Sequence, residues 1–156
     1  MENTNDQTKQ FQVAEIQLSY KSNVKPSLRP KITSSRDAYQ VLKQSWDEGR
    51  LELVEQFKVM LTNRANKVLG IFEVSTGGIA GTVADPKLIF VAALKSGATG
   101  VLLCHNHPSG NLTPSQADIE LTKKIKEGGK LLEIQLLDHI ILTSESYYSF
   151  TDEGLI

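Results

Sequence analysis

The sequence predicts an α/β fold, or an α+β fold with a mixed β-sheet and helices on both faces. Two neighbouring segments, 57–61 and 68–74, have the apolar patterns of the paired strands of a hairpin. A continuous apolar run at 98–106 is typical of a buried central strand. Strands and helices alternate through the second half of the chain. At 156 residues, the chain has the length of about one domain.

The first third of the chain is predicted to contain one strand and one helix. Residues 1–10 are polar and lack periodicity, so we expect a disordered terminus there. The segment 11–20 alternates apolar residues with one slip in phase, which predicts a strand with a bulge. Two prolines make 22–32 an extended connection. Residues 34–46 begin with serines that suit a helix start and continue with apolar residues at helical spacing.

The remaining elements follow from turn and cap signals. The sequence NRAN supplies turn residues between the two hairpin strands. A helix is predicted at 85–97, with Asp85 as its N-cap, Pro86 in its first turn and Gly97 as its stop signal. The last predicted elements are a helix at about 114–128, a strand at about 132–142 and a short strand at YYSF.

Composition excludes several classes of protein. A net charge of -1 gives no general attraction to nucleic acid or to an anionic membrane. No apolar run reaches the roughly 18 residues of a membrane helix, and the polar start lacks the apolar core of a secretory signal. Cys104 is the single cysteine, which excludes an intrachain disulfide. We therefore expect a soluble, cytoplasmic protein that does not bind membranes.

One stretch of the chain is basic. Residues 21–36 contain five Lys or Arg residues and no acid. A solvated linker is the simpler interpretation, and an arm that binds phosphate groups is the alternative.

The stretch richest in reactive side chains is CHNHPSGNLTPSQAD, residues 104–118, which begins as the apolar run ends. His105 and His107 are two residues apart, so on an extended backbone both rings point to the same side. Pro108 then turns the chain away from the sheet. The carboxyl end of a central strand is where open α/β sheets bind ligands. The placement predicts a site at which two imidazoles converge on one ion.

The helix after this motif is predicted to bring a carboxylate to the two histidines. Thr113 suits an N-cap, Pro114 suits the first helical position, and Gln116 would complete a capping box. Ser115 and Asp118 would then share one helix face, with Asp118 directed back toward the strand end. The residues expected to pack this helix against the sheet are Ala117, Leu121 and Ile125.

Two histidines and one carboxylate, with a fourth position for water, are typical of catalytic zinc. Such an ion lowers the pKa of its water toward about 7. The plainer alternative is that His105 and His107 are loop residues and that Asp118 only stabilises the helix dipole. Hydrolysis also needs a general base. The acids next to predicted strands are Glu52, Glu55 and Glu73. Glu55 lies at the mouth of the first hairpin strand, and Glu73 lies on the second, where it is expected to face solvent; spacing alone does not choose between them.

Two other polar residues lie close to the motif in the predicted sheet. His139, within LLDHIIL, is interpreted as a hydrogen-bonded structural histidine, and the alternative is that Asp138 or His139 supports the metal ligands from behind. Cys104 should point away from His105 and act as a small buried apolar residue.

The motif HNHPSGNLTPSQAD resembles the H-x-H-P…S-x-x-D signature of the JAB/MPN (JAMM) metalloproteases, and most closely the bacterial RadC family. The similarity continues through EQFKVMLTNRANKVLG and ELTKKIKEGGKLLEIQLLDHIIL and covers about residues 12–156. It implies a cytidine-deaminase-like fold and a RadC-type JAB/MPN domain at 11–156. It also implies hydrolysis of amide bonds, because eukaryotic members cleave isopeptide bonds to ubiquitin-like modifiers.

The resemblance also implies roles for individual residues. His105, His107 and Asp118 correspond to the zinc ligands, Glu55 to the catalytic glutamate, and Ser115 to the serine that stabilises the oxyanion. The implied cofactor is Zn²⁺, and the expected substrate is a protein or peptide. The family's DNA-repair label makes DNA a second candidate partner. However, RadC proteins also resemble fusions with an N-terminal helix-hairpin-helix module, and about 33 residues before the first helix leave no room for one.

Three hypotheses about function follow. The first is a zinc-dependent amide or isopeptide hydrolase. The second, a nucleobase deaminase, needs a P-C-x-x-C motif, which a chain with one cysteine does not contain. The third is a DNA-associated or protein-binding module whose metal site is not catalytic. The letters HNH also spell a nuclease name, but that motif is spread over a longer ββα element.

Overall fold

The computed structural model describes residues 11–78 and 82–156, and its centre is a five-stranded mixed sheet. The elements in chain order are a 3₁₀ turn at Pro26–Leu28, helices α1 (Ser35–Ser45) and α2 (Glu48–Leu51), strands β1 (Gln56–Thr62) and β2 (Val68–Thr76), helix α3 (Pro86–Ser96), strand β3 (Gly100–Asn106), helix α4 (Gln116–Leu131), and strands β4 (Gln135–Leu142) and β5 (Tyr147–Ser149).

Strands lie in the order β2-β1-β3-β4-β5 across the sheet. Strand β1 pairs antiparallel with both β2 and β3, which makes the predicted hairpin one side of the sheet. Strands β3 and β4 are parallel and are joined through α4, whereas β5 returns antiparallel to β4. The predicted α+β class with a mixed sheet is therefore confirmed.

Each face of the sheet has its own apolar core. One core contains side chains of α3 and α4, such as Ile89 and Ile125, packed on Val101 and Leu103 of β3. The other contains Leu42 of α1 together with residues of β3 and β4 that point the opposite way. Because every residue of β3 is buried, this strand lies at the centre of both cores. Its continuous apolar run is explained by burial on two faces.

The predicted helix boundaries at 34–46 and 85–97 are confirmed by the caps. Ser34 accepts a hydrogen bond from the Asp37 N–H at the start of α1, and Asp85 accepts one from the Lys87 N–H at the start of α3. Gly97 ends α3 with φ of 67°, a left-handed conformation that glycine adopts without steric cost. These short-range signals are sufficient to define both helices.

The predicted strand at 11–20 is wrong. These residues form no helix or strand, and their large apolar side chains are exposed. Alternation reports which side chains share a face, but a strand also needs a partner for its backbone groups. The prediction of disorder at 1–10 lies outside the described residues. Cys104 is fully buried, as predicted, and burial raises the pKa of its thiol. Within the described ranges, no helix combines the length and hydropathy needed to cross a bilayer.

Candidate metal centre

The two histidines of the motif lie at the carboxyl end of β3, on the side of the sheet that α4 covers. His105 is completely buried, whereas the side chain of His107 is 15% exposed. Their Nε2 atoms are 2.9 Å apart. The His105 ring stacks on Phe57 of the neighbouring strand, with ring centroids 5.7 Å apart. The strand thus brings both imidazoles to one point, with one inside the core and the other at its rim.

Asp118 reaches the same point from the first turn of α4. Its Oδ2 atom lies 3.4 Å from His105 Nε2 and 3.9 Å from His107 Nε2. Burial alone would raise the pKa of Asp118, but the His105 imidazole and the hydrogen bonds with Ser115 outweigh it and hold that pKa well below its usual range. Asp118 is therefore an ionised carboxylate facing two imidazole nitrogens.

The predicted cap of α4 is wrong by two residues. The N-cap is Ser115, not Thr113: Ser115 N–H donates to Asp118 Oδ2 at 2.8 Å, and Asp118 N–H donates to Ser115 Oγ at 3.1 Å. Thr113 N–H is instead bound to Asn111 Oδ1 in a local turn. The reciprocal pair formed with a charged Asp118 side chain is the stronger capping box. The helix consequently begins at Gln116.

The sheet-facing row of α4 is also offset from the predicted one. Its buried residues are Thr122, Ile125 and Gly129, whereas Ala117 is exposed. Thr122 lies one turn after Asp118, so both residues face the histidines. Of the predicted packing residues, Ile125 is buried and Leu121 packs at the edge of the core.

His139 on β4 lies directly behind His105, and a chain of hydrogen bonds sets the protonation of both rings. Thr122 Oγ1 donates to the Asp118 carbonyl oxygen at 2.6 Å, so it accepts from His139 Nδ1–H at 2.7 Å. Complete burial holds the pKa of His139 well below its usual range, so its Nε2 is unprotonated and accepts from His105 Nδ1–H at 2.8 Å. A neutral His105 then has a free lone pair on Nε2.

The same reasoning applies to His107. Its Nδ1 contacts the Asn111 carbonyl oxygen at 2.5 Å, and because a carbonyl only accepts, the proton is on Nδ1. The Nε2 of a neutral His107 is therefore also a lone pair. When both imidazoles are neutral, two lone-pair nitrogens face the Asp118 carboxylate oxygen, which takes a hydrogen bond from His105 only when that ring is protonated on Nε2. Such an arrangement of acceptors is stabilised by a cation at their centre.

Glu55 is the nearest further carboxylate. Glu55, His105 and His107 each offer one atom that could ligate a metal, and these three atoms all lie within 4.8 Å of one another. The other candidate base, Glu73, is turned elsewhere, because its carboxylate binds Thr76 Oγ1 and the Gln56 side chain. Of the two glutamates that the spacing left open, the structure brings Glu55 to the histidines. This group of three does not include Asp118, whose Oδ2 lies 3.4 and 3.9 Å from the same two histidine nitrogens.

Asn106 holds the segment that contains Glu55, a role that the sequence reasoning missed. Its side chain points away from the histidines, accepts from Gln56 N–H at 2.7 Å, and donates to the carbonyl oxygens of Leu51 and Val54 at 2.7 and 2.8 Å. These bonds fix the residues on both sides of Glu55. The sequence signal that could have identified this role is a polar residue at the end of an apolar strand. A polar side chain buried there needs hydrogen-bond partners.

Ser115 and Asp138, two of the predicted site residues, form hydrogen bonds that hold the fold. Ser115 caps α4, and because its Oγ accepts from Asp118 N–H, its own hydroxyl proton is free to donate. Asp138 belongs to the opposite face of the sheet. Its carboxylate accepts from Ser149 Oγ at 2.6 Å and from the backbone N–H groups of Thr151 and His139. Of the pair on β4, the structure therefore places His139 beside the candidate metal centre and Asp138 away from it.

Comparison with protein families agrees with this geometry. A family model described as the RadC-like JAB domain matches residues 32–155. The chain belongs to the RadC-like JAB domain family. The match spans all five strands and helices α1 to α4. The JAB/MPN type of fold suggested by the motif is therefore confirmed.

Several similar proteins share this domain within longer chains. The chain is 46% identical to a UPF0758 protein of Flavobacterium johnsoniae over 144 residues, which are 92% of this chain and 62% of that protein. UPF0758 proteins of Clostridium beijerinckii and Clostridium tetani are 40% and 39% identical, and each match covers 54% of the relative. The chain thus spans less than two thirds of the length of these curated relatives.

Proposed function

We propose that this chain is a zinc-dependent hydrolase of the cytoplasm that cleaves amide or isopeptide bonds in a protein or peptide substrate. The observation that carries the proposal is the meeting of His105 Nε2, His107 Nε2 and Asp118 Oδ2, two imidazole nitrogens and one ionised carboxylate oxygen. Family membership supports the same reaction class, since the motif resembles that of the JAMM metalloproteases.

The three acceptors fit zinc in chemistry and in spacing. Imidazole nitrogen and carboxylate oxygen are both ordinary zinc ligands. Zinc bonds of about 2.0–2.1 Å in tetrahedral geometry separate neighbouring ligands by roughly 3.3 Å, and the separations here are 2.9, 3.4 and 3.9 Å. His105, His107 and Asp118 are therefore the residues that would hold the ion. With three protein ligands, one position stays open, which is the pattern of catalytic sites.

The surrounding side chains have the roles that hydrolysis needs. A bound zinc ion supplies a Lewis acid that makes water nucleophilic at neutral pH. In the proposal, Glu55 accepts the proton of the attacking water and passes it to the leaving amine. Ser115 donates its free hydroxyl proton to the oxygen of the carbonyl under attack. His139 and Thr122 keep the proton of His105 on Nδ1, so that Nε2 remains a ligand.

Metal analysis tests the proposal. The purified chain should contain close to one zinc ion, and His107→Ala should lose it while keeping the fold, because His107 lies at the rim of the core. Circular dichroism measures the fold and elemental analysis measures the metal. Cleavage of fluorogenic peptides that contain an isopeptide-linked lysine should stop with chelator and return with zinc. Full zinc occupancy in His107→Ala, or activity that persists in chelator, would contradict the proposal.

DNA association is the alternative function. Its support is the basic stretch 21–36, in which Lys21, Lys25, Lys31 and Arg36 are exposed. A DNA-binding module should lose affinity steeply with salt, in proportion to the number of phosphate contacts. Titration of labelled duplex DNA at two salt concentrations separates the two functions, because a peptidase should show little affinity for DNA at either.

A further inference from the structure

The two imidazoles of the candidate metal centre are supported from opposite directions. His105 is completely buried, and its Nδ1–H donates inward to His139. The side chain of His107 is 15% exposed, and its Nδ1–H donates outward to the carbonyl oxygen of Asn111. Asn111 and the two residues before it are exposed. The protonation of His107 therefore depends on a surface turn, whereas that of His105 depends on the core.

A β-turn leads the chain out of strand β3 directly after His107. Gly110 N–H donates to the His107 carbonyl oxygen at 3.0 Å, which closes the turn. Pro108 and Gly110 occupy the second and fourth positions, where such turns favour proline and glycine. Gly110 has φ of 82°, and a Cβ built on it would meet no atom of the described residues within 4 Å. The preference for glycine therefore comes from the backbone conformation and not from lack of space.

Asn111 follows Gly110, and two hydrogen bonds hold its backbone. Its N–H donates to Ser109 Oγ at 3.3 Å, and its Oδ1 atom accepts from Thr113 N–H at 2.9 Å. With Gly110 in the left-handed region, the Asn111 carbonyl oxygen lies 2.5 Å from His107 Nδ1. The conformation of Gly110 and the bonds of Asn111 thus place this one acceptor.

The turn decides which nitrogen of His107 is free for a metal. A neutral imidazole has one proton, on Nδ1 or on Nε2, and the hydrogen bond of one nitrogen determines which form is present. Without the Asn111 carbonyl, the Nε2–H form becomes populated, because Nε2 faces an acceptor, Asp118 Oδ2, at 3.9 Å. An Nε2 atom that carries a proton is a donor and does not ligate a metal.

We propose that Gly110 and Asn111 are positioning residues for the candidate metal centre: their turn holds the proton of His107 on Nδ1 and so keeps Nε2 as a ligand. The proposal rests on the function proposed above, because it assigns these residues a role in zinc binding. It also makes the two supports independent. A disturbed turn should change the tautomer of His107 and leave His105, which donates to His139, as it is.

Gly110→Ala and Gly154→Ala are a matched pair of tests. Gly154 has φ of 74°, has room for a Cβ, and donates its N–H three residues back, to the Thr151 carbonyl oxygen in the C-terminal turn. Alanine therefore strains the backbone equally at both positions. Imidazole nitrogen shifts in NMR spectra of the metal-free chain, recorded above the usual pKa of histidine, measure the tautomers. His107 should be Nδ1–H in the wild type and in Gly154→Ala, and a mixture with Nε2–H in Gly110→Ala.

Zinc affinity should follow the tautomer of His107. Gly110→Ala should bind zinc about tenfold more weakly than the wild type, as measured by chelator competition, whereas Gly154→Ala should bind it equally well. A wild-type tautomer in Gly110→Ala, an altered His105, or an equal loss of affinity in both variants would overturn the proposal. A wild type that binds no zinc would contradict the proposed function instead, and the tautomers would still decide the role of the turn.

Asn111 provides a second, milder test. Asn111→Ala removes the acceptor of Thr113 N–H, whereas Asn111→Asp keeps it. The alanine variant should change the His107 tautomer and the zinc affinity in the same direction as Gly110→Ala, by a smaller factor. The aspartate variant should bind zinc at least as tightly as the wild type. An equal loss in both variants would overturn the role of Asn111.

Discussion

On strand β3, His105 and Asn106 are neighbours in sequence and are both fully buried, yet they face different sides of the sheet. His105 faces α4, where its Nε2 is left as an acceptor among other acceptors. Asn106 faces the other core, where its amide binds three backbone groups. The same alternation places His139 and Asp138 of β4 on opposite faces. On one face, acceptor atoms therefore converge on a single point, and on the other the Asn106 amide is hydrogen-bonded to backbone groups.

This difference predicts which substitutions change chemistry and which change stability. A buried polar group that is fully hydrogen-bonded stabilises the fold, and removing it leaves its partners unsatisfied. Acceptor atoms that converge on one point repel one another, so a cation bound between them should raise the free energy of unfolding. Substitutions on the histidine face should therefore affect metal and turnover, and those on the Asn106 face should affect the free energy of unfolding.

The largest effect is expected for Glu55→Gln. The amide keeps the size of the side chain but does not accept a proton, so turnover should fall by about 10²- to 10⁴-fold while zinc content stays unchanged. Glu73→Gln is the matched control, because Glu73 binds Thr76 and Gln56 instead. Steady-state hydrolysis and elemental analysis measure both variants. A loss of turnover in Glu73→Gln alone would show that Glu73, and not Glu55, is the general base.

Asn106→Leu should give the largest change on the other face. It removes the partners of one buried N–H and two carbonyl groups, each of which costs about 1–3 kcal/mol when left unsatisfied. The free energy of unfolding should fall by about 3 kcal/mol or more, as measured by urea denaturation. Gln44→Leu, on the exposed side of α1, should change it by less than about 0.5 kcal/mol. An equal effect of both substitutions would contradict the assigned role of Asn106.

Thr122→Val tests the hydrogen bonds behind His105. Valine has the shape of threonine but neither accepts from His139 nor donates to the Asp118 carbonyl, so the His105 tautomer is no longer fixed. Zinc affinity should fall about 10-fold or more, as measured by competition with a chromogenic chelator. Thr122→Ser keeps the hydroxyl and should bind zinc as the wild type does. Unchanged affinity in Thr122→Val would remove this part of the proposal.

The smallest effect is expected at Asp138. Burial raises the pKa of its carboxyl despite the hydrogen bonds from Ser149 and Thr151. The folded chain then binds this proton more tightly than the unfolded chain, so the stabilisation it gives is lost as pH rises through the raised pKa. Asp138→Asn does not titrate, so its free energy of unfolding should rise relative to the wild type as pH increases above the ordinary pKa of an aspartate. A difference that is independent of pH would contradict this.

Short-range patterns in the sequence predicted the fold well and the site in part. Alternation placed His105 and His107 on one side, and helix spacing brought Asp118 back to them. The N-cap was wrong because Thr113 and Ser115 both suit that position, and the choice depends on the Asp118 side chain. Asn106, Thr122 and the contact of His139 with His105 depend on pairings between distant strands and helices, which no local pattern reports. The segment 11–20 alternates like a strand, yet it forms none, because alternation alone supplies no partner for its backbone groups.

A single oxygen, Asp118 Oδ2, accepts the N–H of the N-cap residue and also faces the two imidazoles. Helix initiation and the proposed coordination therefore place two demands on one atom. Asparagine at this position would keep the cap but bring no charge, and glutamate also suits a capping box but would move its carboxylate one bond away from the position of Oδ2. Aspartate places one charged oxygen where both demands are met, so the proposed chemistry is tied to the start of the last long helix at the level of one atom.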